Sequence, residues 1–419
     1  MRSRGAWTVW GLAASFYLVA LFHRMSLGVA SLDAQERFHL GPDTIATLSA
    51  LQLGLYLVMT IPAGVAADRI GPRRALALGL VLMAVGEITF GLATTAPLAL
   101  GGRALVGIGD AFMFLSVLRI AQNWFPAHRY ALLASLTGLA GAIGQIGTTV
   151  PLGVALEGVG WTATFAGTGV LTALLALACM RFIRDRPAAV AGTPAAPAHD
   201  PILQTLRRAW ARPATRHAFW VHFALMGPFV AITALWGYPY LVQSQGVAPG
   251  TARAWLLLCV AAFGASAPLL GLLLGRAPHL RGAMVLAVAG GLTGLWALTL
   301  LWPGGQPPSP VLLATLAVTG VGGAAAMLAF DIAREGNPAH TAGSATGLAN
   351  TGGFSAAVLT QLVVGWIMGL GPAHGLQTAL LPMLGLLVVA LASLVVHGRR
   401  AVPRVAAPAP AAGIATPSI

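Results

Sequence analysis

Six ionisable side chains lie inside stretches that are otherwise apolar enough to cross a membrane: His23, Arg24, Glu87, Arg103, Asp110 and His222. A charged side chain at the bilayer centre costs roughly 2.5–3.5 kcal/mol on insertion scales, so each of these should face a polar chamber or a partner. Arg24, in Phe22-His23-Arg24-Met25-Ser26, carries forked donors that match the two oxygens of a carboxylate or phosphate. His23 beside it titrates near physiological pH. Glu87 follows Val85-Gly86, and Asp110 follows Gly107-Ile108-Gly109. A carboxylate shielded from water is a good site for taking up and releasing a proton. The chemistry on offer is therefore anion binding and proton transfer. Each group also has a structural reading. Arg24 could snorkel to the surface or pair with Asp33 or Glu36, His23 could be a packing residue, and Glu87 or Asp110 could form a fixed pair with Arg103.

Twelve apolar segments must position these groups, at roughly 8–28, 44–66, 75–95, 97–121, 131–156, 161–182, 215–242, 252–275, 282–302, 310–333, 341–368 and 375–397. A spanning helix needs roughly 20 residues. All twelve should be helical, because an open strand in lipid leaves backbone groups unpaired. The chain of 419 residues is 57% hydrophobic and 8% charged, with a mean hydropathy of +0.80. Soluble domains carry roughly 25% charged residues. The net charge of +13 comes from arginine alone, with no lysine. Its placement in alternate loops argues against nucleic acid and for a multi-pass protein of the cytoplasmic membrane with both termini inside. Only Arg37 and Arg253 fall in outer loops. Met1-Arg2-Ser3-Arg4 leads into the first segment without a convincing cleavage site, which predicts a retained helix. Cys179 and Cys259 fit neither a disulfide framework nor a metal site.

The middle of the chain breaks the pattern. Residues 183–214, rich in Pro, Ala and Arg, read as a cytoplasmic linker, partly helical near Ile202–Trp210, between six-helix bundles at 1–182 and 215–397. Residues 398–419 read as a disordered cytoplasmic tail. The halves repeat each other: Ser135-Leu-Thr137-Gly138-Leu139-Ala140 matches Ser344-Ala-Thr346-Gly347-Leu348-Ala349, and Gly144 then matches Gly353. Pro126-Ala-His128 and Pro338-Ala-His340 precede the two copies. Two similar bundles fit a rocker around a central cavity.

Between the second and third segments lies Gly64-Val-Ala-Ala-Asp68-Arg69-Ile-Gly71-Pro-Arg73-Arg74. The pattern resembles the signature loop of the major facilitator superfamily of transporters. The resemblance implies an all-α membrane protein with twelve transmembrane helices in two pseudo-symmetric halves, working by alternating access without ATP, cofactor or metal. In that family the loop helps hold the outward-open state, so Asp68, Arg69, Arg73 and Arg119 are the expected gate. Charges that must separate as the halves rock bias a two-state equilibrium. The run from Phe22 to Ala30 resembles the anion:cation symporter branch, whose first-helix arginine contacts an anionic substrate; His23 stands where that branch carries an acid. Arg103-x-x-x-Gly107-x-Gly109-x-Ala111 resembles the fourth-helix motif of proton-linked members, with Val106 in place of the usual polar residue. Asn350-Thr351-Gly352-Gly353 loosely resembles the nitrate/nitrite porter signature, and Thr149-Val150-Pro151-Leu152-Gly153 partly matches a motif of drug exporters. Glycines 138, 141, 144 and 147 should let the fifth segment approach a neighbour, expected to be the eighth.

Other classes are excluded or weakened. There is no His-Glu-x-x-His, no Gly-x-Ser-x-Gly and no lysine-bearing phosphate loop, so an enzyme is not expected. Gly320-Val321-Gly322-Gly323 mimics a dinucleotide fingerprint but lies in an apolar span. Two repeated halves argue against a simple channel. The expected activity is proton-coupled movement of a small, anionic solute by a monomer in the bilayer. Arg24, Tyr17, His222, Trp236, Tyr240 and Asn350 are the expected substrate contacts, and His23, Glu87 and Asp110 the proton carriers. Trp236 and Tyr240 fit an interfacial belt equally well, and Pro228 and Pro239 predict kinks. Proton-antiport export of drugs or amphipathic metabolites is the alternative.

Overall fold

The apolar runs fold as helices, and no strand occurs among the described residues. The structure, a computed structural model, describes residues 2–126, 129–185, 202–371 and 375–401. Most of the expected linker (186–201), the end of the tail (402–419) and part of the Pro126-Ala-His128 copy lie outside that set. The first half comprises α1 (Arg2–Phe38), α2 (Pro42–Ile70), α3 (Pro72–Leu92), α4 (Ala96–Asp110), α5 (Met113–Trp124), α6 (Tyr130–Gly147) and α7 (Val150–Phe182). After the short α8 (Ile202–Trp210), the second half holds α9 (Pro213–Ala231), α10 (Pro249–Arg276), α11 (Arg281–Leu300), α12 (Ser309–Ala325), α13 (Leu328–Glu335), α14 (Ala339–Gly369) and α15 (Leu381–Ala401). Proline starts many of these helices because the first-turn N–H has no intrahelical partner to lose.

Eleven helical stretches are long and apolar enough to cross a membrane among the described residues. One of them, Leu136–Phe182, has 47 residues, far more than one crossing needs. It reverses at Gly160, whose φ of 79° and ψ of 175° break the helix, so it makes two crossings and the count reaches twelve. Two expected spans are each two helices. The fourth breaks at Ala111–Phe112, where Phe112 N–H bonds to Gly109 O, and the tenth breaks at Ala326–Met327. The breaks fall at corresponding places in the halves, directly after Asp110 and Ala325. Pro228 sits inside α9 without ending it, and beyond it two wide-turn π segments follow, Ile232–Trp236 and Tyr240–Ser244. An extra residue per turn absorbs the missing proline N–H.

Loop contacts define two faces. Arg73, Asn123 and Trp124 gather around 180–185 on what is here called the linker face. On the far face Arg37 donates to Ala93 O, Gln245 to Gly305 O, and Gln306 to Ser244 O. The glycines of the fifth segment pack against α1, not against the eighth segment as expected. A Cβ at Gly144 would stand 2.0 Å from Leu18 O, one at Gly141 2.8 Å from the Tyr17 ring, and one at Gly147 3.1 Å from Phe22. Towards α10 the approach is looser, with Gly264 3.9 Å from Ala142. The repeat copy does the same on α9: Cβ atoms at Gly352 and Gly353 would lie 2.3 Å from Phe219 O and 2.5 Å from His222 Nδ1. The shared sequence thus encodes one contact, made twice.

Gly144→Val should lower the unfolding midpoint of the detergent-purified protein, because its side chain meets backbone that cannot yield; overpacking costs roughly 1–3 kcal/mol. Gly138→Ala, at a position with nothing within 4 Å, should leave the midpoint in place.

Candidate functional site

Successive residues of a helix point about 100° apart, and α1 uses this to send His23 and Arg24 to different neighbours. Arg24 turns to α4, where Nε donates to Asp110 Oδ2 at 2.6 Å and Nη2 donates to Oδ1 at 2.8 Å. Both side chains are withdrawn from solvent, with 3% and 0% exposed. The flat face of the guanidinium lies over Tyr56 of α2, 4.0 Å from the ring centroid, and 5.4 Å from Phe354 of α14. Tyr56 and Phe354 also touch each other at 4.8 Å. Tyr17 lies within electrostatic reach of the same guanidinium. The site joins both halves: its charges come from the first, and one aromatic wall comes from the second.

His23 turns instead towards α3 and α7. Its Nδ1 is 3.2 Å from Glu87 Oε1, an ion-pair distance without hydrogen-bond alignment, and its Nε2 is 2.8 Å from Thr172 Oγ1. Arg103 lies against the same group from α4. Nη1 donates to His23 O (3.1 Å), Ser26 Oγ (3.2 Å) and Gln52 Oε1 (3.2 Å), while the guanidinium stacks on Phe90 at 3.8 Å. The expected fixed pairs with Arg103 are therefore corrected. Asp110 pairs with Arg24 and Glu87 sits against His23, while Arg103, still within electrostatic reach of Glu87, spends its donors on His23 O, Ser26 and Gln52.

The remaining expected contacts divide. His222 of α9 accepts from Gly353 N–H at Nδ1 (3.1 Å), packs beside Phe330 and Phe354, and leaves Nε2 without a partner among the described residues. Asn350 lies one turn before Phe354 on α14, on the same helix face. Trp236 and Tyr240 are not brought to Arg24. Trp236 Nε1 reaches Gln361 O at 3.4 Å, and Tyr240 packs 6.4 Å from Trp296 beside a water-sized void inside the second half. The π segments turn both rings inward rather than into a belt.

On the linker face, the side chains of Asp68 and Arg69 lie outside the described residues. Arg73 donates its backbone N–H to Asp185 Oδ1 at 2.7 Å and its guanidinium to Met180 O. Arg119 is exposed and reaches Gln122 at 3.4 Å. Asp185 is the residue that sequence reasoning missed. It caps α3 and stands where a Cβ at Gly71 would come within 2.8 Å; Gly71 also has φ 87°, so glycine is required twice over. In the second half Arg281 makes a two-pronged bond to Glu335. The halves close on the far face. Arg253 bonds Glu157 at 2.5 Å, a Cβ at Gly28 would lie 2.3 Å from Thr233 O, and one at Gly365 would lie 2.3 Å from Ala46. Towards the linker face Gly138, Gly271, Gly343 and Gly347 have nothing within 4 Å of a Cβ.

With this geometry in place, comparison with known proteins is informative. The family model of the Major Facilitator Superfamily matches residues 12–361. The uncharacterized transporter YycB of Bacillus subtilis is 25% identical over 349 residues, 82% of this chain and 82% of that protein. The D-galactonate transporter of Escherichia coli O6:H1 is 30% identical over 114 residues, 27% of this chain and 26% of that protein. Against six further curated relatives the chain covers between 28% and 41% of their length. Among solved structures, a bacterial homolog of the human lysosomal transporter Spinster, inward-facing and unoccupied, superposes with a TM-score of 0.73 at 15% identity, over 95% of this chain and 98% of that one. That likeness establishes the fold.

Removing one member of a buried ion pair typically costs 3–5 kcal/mol, because the other charge is stranded. Asp110→Asn and Arg24→Gln should each lower the unfolding midpoint. The double variant should recover part of the loss, a non-additivity that a thermal double-mutant cycle measures.

Proposed function

The chain belongs to the major facilitator superfamily, and from that premise we propose that it carries a small organic anion across the cytoplasmic membrane by proton-coupled alternating access. The observation that carries the reading is the Arg24 fork closed by Asp110 beneath Tyr56 and Phe354. A substrate carboxylate has the shape and charge of the Asp110 carboxylate. It can take the fork only if Asp110 lets go, and a buried carboxylate without a partner is too costly to keep ionised. Asp110 therefore takes a proton as the substrate binds. Anion and proton travel together, and net charge in the chamber is conserved. In this reading His222, packed beside Phe354, and Asn350, one turn before it, are the second half's substrate contacts. A relative named for D-galactonate, itself a carboxylate, supports the anion class.

Arginine placement puts the linker face and both termini in the cytoplasm. The far-face contacts then seal the outside, and the open glycine ends of α6, α10 and α14 correspond to an inward-open state. Rocking must break Arg253–Glu157 and bring Asp68, Arg69, Arg73 and Arg119 towards the second half, where they latch the other state. The chain is proposed to work as a monomer, since Arg24, Asp110, Tyr56 and Phe354 all come from one copy.

The test is uptake into proteoliposomes with an inward proton gradient, using D-galactonate and a panel of short carboxylates. The gradient should drive accumulation. Arg24→Lys should reduce it about 30-fold or more, the factor matching loss of ~2 kcal/mol when a buried charge-pair partner is altered. Asp110→Asn should abolish the response to the gradient while leaving carboxylate exchange. Transport confined to lipophilic cations, or full uptake by Arg24→Lys, would sink the proposal.

A further inference from the structure

We infer that α8 and the turn after it form a docking surface for the headgroups of anionic phospholipids on the linker face. The argument starts from what this helix exposes. α8 ends two residues before α9 begins at Pro213, so it lies at the rim of the membrane-spanning region. One side is anchored to protein: Ala209 is fully buried, and Trp210 meets Phe219 edge-on at 5.3 Å. The side of Leu203 and Arg207 has no protein cover among the described residues: Leu203 is 78% exposed, and Trp210, at the edge of the anchored side, keeps 40% exposed. Arg207 lies between them at helical spacing (203, 207, 210), so two apolar side chains and a guanidinium share one face.

The charge around this face is of one sign. From Ile202 to Arg216 the chain carries arginines at 207, 208, 212 and 216 and no acidic residue. Arg207 and Arg212 are exposed and have no carboxylate partner among the described residues. A solvated protein surface would match such cations with acids or leave out the leucine and tryptophan. A lipid surface explains both features. Leu203 and the Trp210 ring enter the acyl boundary, and the guanidiniums stay at phosphate level. The helix cannot cross the bilayer, being 9 residues long, so it lies along the surface. Each basic residue near an anionic leaflet strengthens attachment about fivefold. The surface would tie the second half to one leaflet as the halves move.

Native mass spectrometry of the purified full chain, titrated with phosphatidylglycerol or with phosphatidylcholine, tests this. Phosphatidylglycerol should be retained at lower concentration than phosphatidylcholine. Arg207→Gln with Arg212→Gln should raise the phosphatidylglycerol needed by about 25-fold and leave phosphatidylcholine unchanged. Arg207→Lys with Arg212→Lys should restore retention, which separates charge from folding. Arg74→Gln, an exposed arginine elsewhere on the linker face, should have no such effect. Equal retention of the two lipids, an unchanged requirement in the Gln pair, or an equal loss in Arg74→Gln would overturn the inference.

Discussion

A guanidinium cannot stay alone in an apolar interior, and much of the first half follows from giving Arg24 its carboxylate. Taking either ion out of water costs several kcal/mol, which only good geometry and further bonds repay. Asp110 reaches the fork because α4 is pressed onto both its neighbours by glycine. A Cβ at Gly107 would come within 2.3 Å of Gln52 O on α2. Cβ atoms at Gly102 and Gly109 would come within 2.7 Å of Gly86 O and 2.5 Å of Gly79 O on α3. Larger side chains at any of these would hold α4 away and withdraw the carboxylate from Arg24. The helix then breaks directly after Asp110, as its repeat partner breaks after Ala325. The second half keeps the break without the acid. The repeat has preserved the backbone device and confined the charge to one side.

The two halves are held together by different physics from that within each. Inside the first half the contacts around the charges are ionic and hydrogen-bonded, as in the Arg103 cluster on His23 O, Ser26 and Gln52. Between the halves, near Arg24, the contact is aromatic: Phe354 meets Tyr56 and lies over the guanidinium. Ring faces slide at small cost, whereas a two-pronged ion pair does not. On the far face the Arg253–Glu157 pair, with Glu157 63% exposed, is a weak closure of the kind that thermal motion can open.

The helices were legible because hydropathy reports each segment separately. Arg24 and Asp110 were legible as ionisable groups in apolar runs. Their partnership was not, since helical periodicity gives the direction of a side chain but not which neighbouring helix meets it, nor at what height. For that reason Asp110 looked equally able to pair with Arg103 and Glu87 did not point to His23. The glycines of α6 suffered the same ambiguity: their spacing marked a close contact but left α1 and α10 equally eligible. Tyr56 and Phe354 carried a signal that could have been used, an aromatic residue four positions after Gln52 and four after Asn350. Asp185 had none, because its partner lies 112 positions away at the start of α3.

The two buried clusters differ in what faces each carboxylate. His23 and Glu87 face each other, so a proton moving between them converts an ion pair into a neutral pair and leaves the net charge of the chamber unchanged. Asp110 is different. Its two-pronged partner is the guanidinium that an anion would claim, so in the proposed cycle the anion and the ionised carboxylate compete for the same fork, and binding favours protonation. In the proposed cycle a doubly charged substrate would still release only one carboxylate from Arg24. Movement of a dianion would then carry net charge, whereas movement of a monoanion would not, and the dependence on membrane potential follows from the substrate's valence alone.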